Sequence, residues 1–256
     1  MQKRGQLTIF LMFGIIIVIA AIFVSYIQSE TPKTKIGAET ERINSLSVSS
    51  LASVKDSIDY CVSDTSSYVV YYTSLQGGYY NVPEPKTQYF GDMPYYEYKG
   101  QNKMPSIKTI ESEISNFIFD ILPTCVEQIE TQGFELNGKI NSVETSVLND
   151  KILVKVNYPI SIKRGDQETV IPRFNAEVPI RLSTMYEIAS NITQGKVRSN
   201  SVCLDCLVIL GNKNNVFIDV LSSNNSLIFS LYDNTTSNEN TTQNEEPYIF
   251  SFALQK

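Results

Sequence analysis

KINSVETSVLNDKILVKVNYPISIKRGDQETVIPRFNAEVPIRL, Lys139 to Leu182, is where the hydrophobic period of this chain changes. Upstream, apolar residues recur every three or four positions; here they alternate with polar ones, so that side chains point in turn to opposite faces of an extended chain. Lys139–Leu148, Lys151–Ile162 and Glu168–Leu182 read as strands. Asn149-Asp150 and Arg164-Gly165-Asp166 supply the turns of an antiparallel meander.

Two helices are predicted before the meander. From about Arg42 to Leu75 a stripe runs through Ile43, Leu46, Leu51, Val54, Ile58, Cys61, Val62, Val69 and Tyr72, and Gln76-Gly77-Gly78 stops it. Ser106, after Pro105, is placed to cap a second helix whose stripe is Ile107, Ile110, Ile114, Phe117, Ile118, Ile121, Cys125 and Ile129, with Pro123 as a kink. Between the helices, Tyr79–Pro105 is rich in Pro and Gly and reads as an ordered loop with short extended pieces. After the meander, Thr184–Gln194 is expected to be a short helix. Leu207–Leu210, Val216–Leu221, Ser226–Tyr232 and Tyr248–Leu254 follow as short strands. The fold class is α+β: two long amphipathic helices packed with an antiparallel meander in residues 43–194, and a small C-terminal β unit in 195–256.

The start of the chain sets its address. Leu7 to Ile27 holds no charged residue, and at about 1.5 Å per helical residue it spans about 30 Å, the thickness of a hydrocarbon core. There is no polar stripe of a buried soluble helix, and SYIQS at Ser25–Ser29 offers no AxA-like cleavage site. Residues 7–27 therefore read as a transmembrane helix, 1–6 as a basic cytoplasmic cap and 28–42 as a juxtamembrane linker broken by Pro32 and Gly37. Lys3 and Arg4 keep the amino end in the cytoplasm and place the rest outside the cell membrane.

The segment KRGQ, Lys3 to Gln6, followed by an apolar helix, resembles the class III signal of archaeal type IV pilins and archaellins. That resemblance implies cleavage between Gly5 and Gln6 and a mature chain beginning at Gln6. The fifth mature position is Phe10, where bacterial pilins carry a Glu that pairs with a neighbour's amino terminus. LQGGYY, MPYYEY, and MPS before an amphipathic helix are similar to segments of uncharacterised membrane-anchored surface proteins of small-genome archaea. No activity follows from that similarity.

Composition narrows the function classes. All but two of the 21 Lys and Arg, and all 27 Asp and Glu, lie beyond Ile27, a net charge of −8 there. An acidic body without a basic run lacks the phosphate contacts of a nucleic-acid binder. Histidine is absent, which removes Ser-His-Asp and Cys-His catalysis and most zinc enzymes. No Walker loop or GxGxxG occurs, and no cofactor is expected. Hydrophobic residues make up 42% of the chain, which favours a packed body over a disordered stalk.

The four cysteines fall on the outer side, where disulfides persist. Of three pairings, the favoured one joins Cys61 to Cys125 between the helices and closes Cys203 to Cys206 as a local ring. CLDC at Cys203–Cys206 has the spacing of a redox motif, but such a motif opens a helix, whereas the LVIL after it reads as a strand. Asn191, Asn224, Asn234 and Asn240 head NxS/T sequons, the last two in a Thr-, Asn- and Ser-rich surface loop that glycans could occupy. Tyr79, Tyr80, Tyr89, Tyr95 and Tyr96 form a candidate contact surface, or pack the loop onto the helices.

These features point to a non-enzymatic, single-pass anchored surface protein with a structural or adhesive role, in contact with the bilayer and with copies of itself, other surface proteins or glycans. An alternative is an anchored enzyme cutting surface glycans through Asp92 and Glu97. A third is an accessory subunit of a membrane complex.

Overall fold

The computed structural model describes residues 51–89, 91–129, 133–233, 235 and 247–256. The expected cap, transmembrane helix and linker, the Gly5–Gln6 bond, the first turns of the first helix, and Asn234 and Asn240 lie outside the described residues. Among the described residues, no helix is long and apolar enough to cross a membrane.

The body is α+β, with two sheets and helices α1 (Leu51–Leu75), α2 (Ile107–Glu127), α3 (Leu182–Ser199) and α4 (Leu204–Asn214). In α1 the buried face carries Val54, Ile58, Cys61, Val62, Val69 and Val70 together with Ser66, Thr73 and Ser74. The three buried hydroxyls donate to the carbonyls of Val62, Val69 and Val70, so they enter the core without an unmade hydrogen bond. Leu51 and Tyr72, expected on that stripe, are exposed. The Gly stop is as expected: the Gly78 N–H reaches back to the Thr73 carbonyl at 2.7 Å, with Gly77 at φ +58° and Gly78 at φ +80°.

That stop has a second duty. A Cβ on Gly78 would lie 2.6 Å from Ile110 Cγ1 of α2, whereas Gly100, at φ +75°, faces open space. Gly78→Ala should lower stability by about 2–4 kcal/mol, left-handed strain plus overpacking, and Gly100→Ala by only about 1. Thermal melts of the two variants check this, with a drop of about 5–10 °C for the first alone.

Ser106 caps α2 as predicted, its Oγ accepting the Thr109 N–H at 3.1 Å. The helix runs on through Pro123 to Glu127. Its flank is bonded to the meander, since Glu111 accepts the Val147 N–H at 2.8 Å and Ser115 Oγ donates to Thr145 Oγ1 at 2.8 Å.

The first sheet is the meander plus one short strand: β4 (Glu135–Gly138), β5 (Ser142–Val147), β6 (Ile152–Arg164) and β7 (Gln167–Val178). β7 runs along one edge of β6, while β5 and β4 lie end to end along the other. Ile152, Val154, Val156, Tyr158, Ile160 and Ile162 of β6 all face the core. The register slips between Asn157 and Ile160, where Pro159 has no N–H to give the ladder.

The second sheet departs from the sequence expectation. Its order is β1 (Lys86–Gln88), β2 (Asp92–Tyr98), β10 (Tyr248–Gln255), β9 (Ser226–Asp233) and β8 (Val216–Ser223), with β3 (Gln101–Asn102) paired to β2. The Tyr-rich stretch expected as a loop thus contains a buried strand. β10 runs parallel to β2, with Ala253 opposite Tyr95, so the carboxyl-terminal strands share a sheet with residues 86–102 instead of forming their own unit. One hydrophobic core contains residues from both sheets and from α1, α2 and α3. The expected helix at Thr184–Gln194 is longer at both ends, and Leu207–Leu210, expected as a strand, is the middle of α4. A four-residue apolar run cannot distinguish the two by period, and here Asn215, at φ +54°, caps the helix end. Gly211 lets α4 approach β8 closely, since a Cβ there would sit 2.6 Å from the Val216 carbonyl oxygen.

Candidate functional site

The tyrosines divide by strand geometry. On β2, Tyr96 faces the main core, stacks on Phe252 with ring centroids 4.7 Å apart and donates to the Gly77 carbonyl at 2.9 Å. Burial pushes its phenol far above the usual range. Tyr95 points to the opposite face, into a small cluster with Met93, Ile228 and Ala253, its hydroxyl bonded to Ser226. Neither side chain is available to a partner. Tyr79, Tyr80 and Tyr89 are half-buried; Tyr80 stacks flat on Phe117 at 4.0 Å, and its N–H donates to Glu113. Burial, with Glu113 nearby, raises the Tyr79 phenol.

The exposed tyrosines lie elsewhere, on α1: Tyr60, Tyr68, Tyr71 and Tyr72. Tyr68 and Tyr72 are 5.9 Å apart and both meet the edge or face of Phe117, which extends the aromatic patch to Tyr80. Tyr68 and Tyr72 are separated by one helical turn, which puts both rings on one face of α1.

Asp92 and Glu97 do not make a carboxylate pair for glycoside cleavage. They are five residues apart on one strand, so their Cα atoms are about 16 Å apart at the usual rise. Catalytic pairs sit within about 10 Å of each other. Asp92 is occupied by Lys86 at 2.8 Å and by Gln88. Glu97 is 3% exposed, and its Oε1 accepts the Gly100 N–H at 2.6 Å. Among the described residues, no group of three or more His, Cys, Asp or Glu side chains could hold a metal ion.

Both cysteine pairs are closed as disulfides, Cys61–Cys125 and Cys203–Cys206, and no cysteine is free. They differ in setting. Cys61 is buried in the seam of α1 and α2, and its bridge spans 64 positions. Cys203 and Cys206 are both exposed and span three. In the chain-entropy model the first removes about 4 kcal/mol of unfolded-state freedom and the second about 1.6. Cys203 is the N-cap of α4, its Sγ accepting the Cys206 N–H at 3.3 Å. The placement that the sequence seemed to deny, a CxxC at the start of a helix, is therefore present.

Beside this turn lies an open groove of about 440 Å³ between α4 and β8, lined by Leu204, Val208, Gly211, Phe217, Ile218 and Val220 among others. Its rim is apolar and in water: Leu204, Val208 and Phe217 are 63–66% exposed. β8 is the end strand of its sheet.

Of the sequon residues, Asn191 lies exposed on α3, and Asn224 is exposed in the β8–β9 turn at φ +42°. A comparison with protein-family models, with curated proteins and with solved structures finds no match to this chain.

Proposed function

We propose that this chain is a single-pass, membrane-anchored protein whose body stands outside the cell membrane and makes structural or adhesive contacts, as a subunit resembling a type IV pilin. Residues 7–27 cross the bilayer, and the amino end stays in the cytoplasm. The observation that carries this reading is the sequence of an uncharged Leu7–Ile27 stretch followed by a body in which all four cysteines are paired. Disulfides of this kind persist in oxidising compartments and are rare in the cytosol. The aromatic patch of Tyr68, Tyr72 and Tyr80 on Phe117 is the contact surface, with large rigid faces and hydroxyls suited to protein or glycan.

Intact mass and N-terminal sequencing of the protein from its native membranes tests this. A chain beginning at Gln6 is the expected result, with excess mass if Asn191, Asn224, Asn234 or Asn240 carries sugar. A chain retaining Met1 or Gln2 overturns the pilin-like reading and leaves a permanent anchor. Release of the protein by an alkaline wash overturns the anchor itself. Co-purification of one defined partner in fixed ratio would replace self-assembly by membership of a larger complex.

A further inference from the structure

We infer that Cys203–Cys206 is a thiol–disulfide exchange centre whose substrate is an extended, apolar, cysteine-bearing segment of a partner protein, held in the groove between α4 and β8. Three observations meet at this corner. The bridge closes a ring of three positions between two exposed residues, so it does little as a staple beside Cys61–Cys125 and lies at the surface. Cys203 caps α4, where the Cys206 N–H and the helix dipole are arranged to hold a thiolate on its sulfur. Leu204, inside the ring, also lines the groove, so the apolar channel begins at the disulfide.

The groove suits an extended occupant because β8 ends its sheet and offers an edge to another strand. Leu204, Val208 and Phe217 give that strand's side chains apolar partners.

The exchange balances without any further reagent in its first turnover. A substrate thiolate attacks Cys203 Sγ, forming a mixed disulfide and releasing Cys206 as a thiolate that takes a proton from water. A second substrate thiolate then attacks the substrate sulfur of the mixed disulfide and expels the Cys203 thiolate, which the helix N-terminus holds. The substrate loses two electrons and gains a disulfide; the cysteine pair gains the two electrons. A disulfide-bearing protein restores Cys203–Cys206 by the same exchange in reverse.

The test uses the full chain in detergent, with two reduced two-cysteine peptides, one flanked by Leu and Phe and one by Ser and Gly, and glutathione as a small thiol. Expected results are exchange at Cys203–Cys206 at least about tenfold faster than at Cys61–Cys125, and oxidation of the apolar peptide about tenfold faster than of the polar one. Val208→Ser with Phe217→Ser should abolish the preference between peptides and leave glutathione exchange unchanged. Cys206→Ser, offered glutathione disulfide, should accumulate a mixed disulfide on Cys203, its thiolate displacing one glutathione thiolate with no second cysteine to resolve the bond. Cys203→Ser with Cys206→Ser should remove exchange at this site while the thermal midpoint falls by only about 3–6 °C and the chain still folds, which separates chemistry from folding. The inference is overturned if Cys203–Cys206 exchanges no faster than Cys61–Cys125. It is also overturned if both peptides react alike in the wild-type protein, or if the groove variant instead separates two copies of the chain or frees a segment of the same chain. None of these results depends on whether the chain is cleaved at Gly5, so the membrane reading stands or falls apart from them.

Discussion

Arg181→Ala should cost about 3–5 kcal/mol at neutral pH, the penalty for leaving a buried carboxylate without its partner. Arg181 precedes α3 and donates from Nε and Nη2 to the two oxygens of Asp233 at 2.8 and 2.7 Å. Its Nη1 also donates to the Asn214 carbonyl at the end of α4. Asp233 closes β9, is 0% exposed and accepts the N–H and hydroxyl of Thr235 as well. One guanidinium thus joins the start of α3, the end of α4 and the last residue of β9, with a planar fork that Lys cannot reproduce. Arg181→Lys should recover only part of the loss, and Arg181→Met with Asp233→Leu should recover most of it, since neither charge then remains buried.

The pH dependence carries a sign. Burial alone would raise the Asp233 pKa, but the hydrogen bonds from Arg181 and Thr235 outweigh it and hold the carboxyl below the ordinary carboxylate range. A depressed folded-state pKa adds stability that is fully present above the unfolded value near 3.9 and is lost as pH falls through the lower folded value. The wild type should therefore lose this contribution only below about pH 4. Without Arg181 the carboxyl is raised instead, and it protonates as pH falls, which relieves the buried charge. Melting curves from pH 8 to pH 3 should show the gap between wild type and Arg181→Ala shrinking toward acid. A gap constant over that range would mean the loss comes from packing and not from the charge.

The second large effect is on the unfolded state. Replacing Cys61 and Cys125 by Ala should lower stability by about 4 kcal/mol, most of it from freedom returned to a chain no longer closed across 64 positions. That is a large share of the roughly 5–15 kcal/mol that holds a domain together. The seam of α1 and α2 keeps Ile58, Ile114 and Ile118 buried without the bridge, so the variant should still fold. Denaturant titration checks it: the midpoint should fall and the slope should rise, because the uncrosslinked chain exposes more surface on unfolding. A midpoint within the error of the wild type would show that the bridge only records a contact the helices already make. Cys203→Ser with Cys206→Ser, measured alongside, should shift the midpoint by less than half as much.

Where side chains repeat at short range, the sequence was a sufficient guide. Ile110, Ile114, Phe117 and Ile118 announce a helix because residues three and four apart share a face, and they are buried on α2. Val154, Val156 and Ile160 announce a half-buried strand for the corresponding reason, and Gly77-Gly78 marks a stop that only left-handed backbone can make. The placement of Cys61 and Cys125 on two such stripes was enough to pair them. Met93–Tyr98 was misjudged because its prolines and tyrosines look like a loop, and its partner in the ladder, Ala253–Leu254, lies about 160 residues away. No local period records a contact of that range. The same limit hid the Arg181–Asp233 fork, which joins residues 52 positions apart, and it let LVIL read as a strand where the structure makes it the middle of α4, packed against β8. The sequence by itself determined α1, α2, α3, the meander and the Cys61–Cys125 pairing, because those follow from periodicities of two and 3.6 residues. Only the tertiary structure decided that the carboxyl-terminal strands complete a sheet begun at Lys86, that the tyrosines of β2 are core, and that CLDC opens a helix beside an apolar groove, because each depends on which distant surface arrives to bury it.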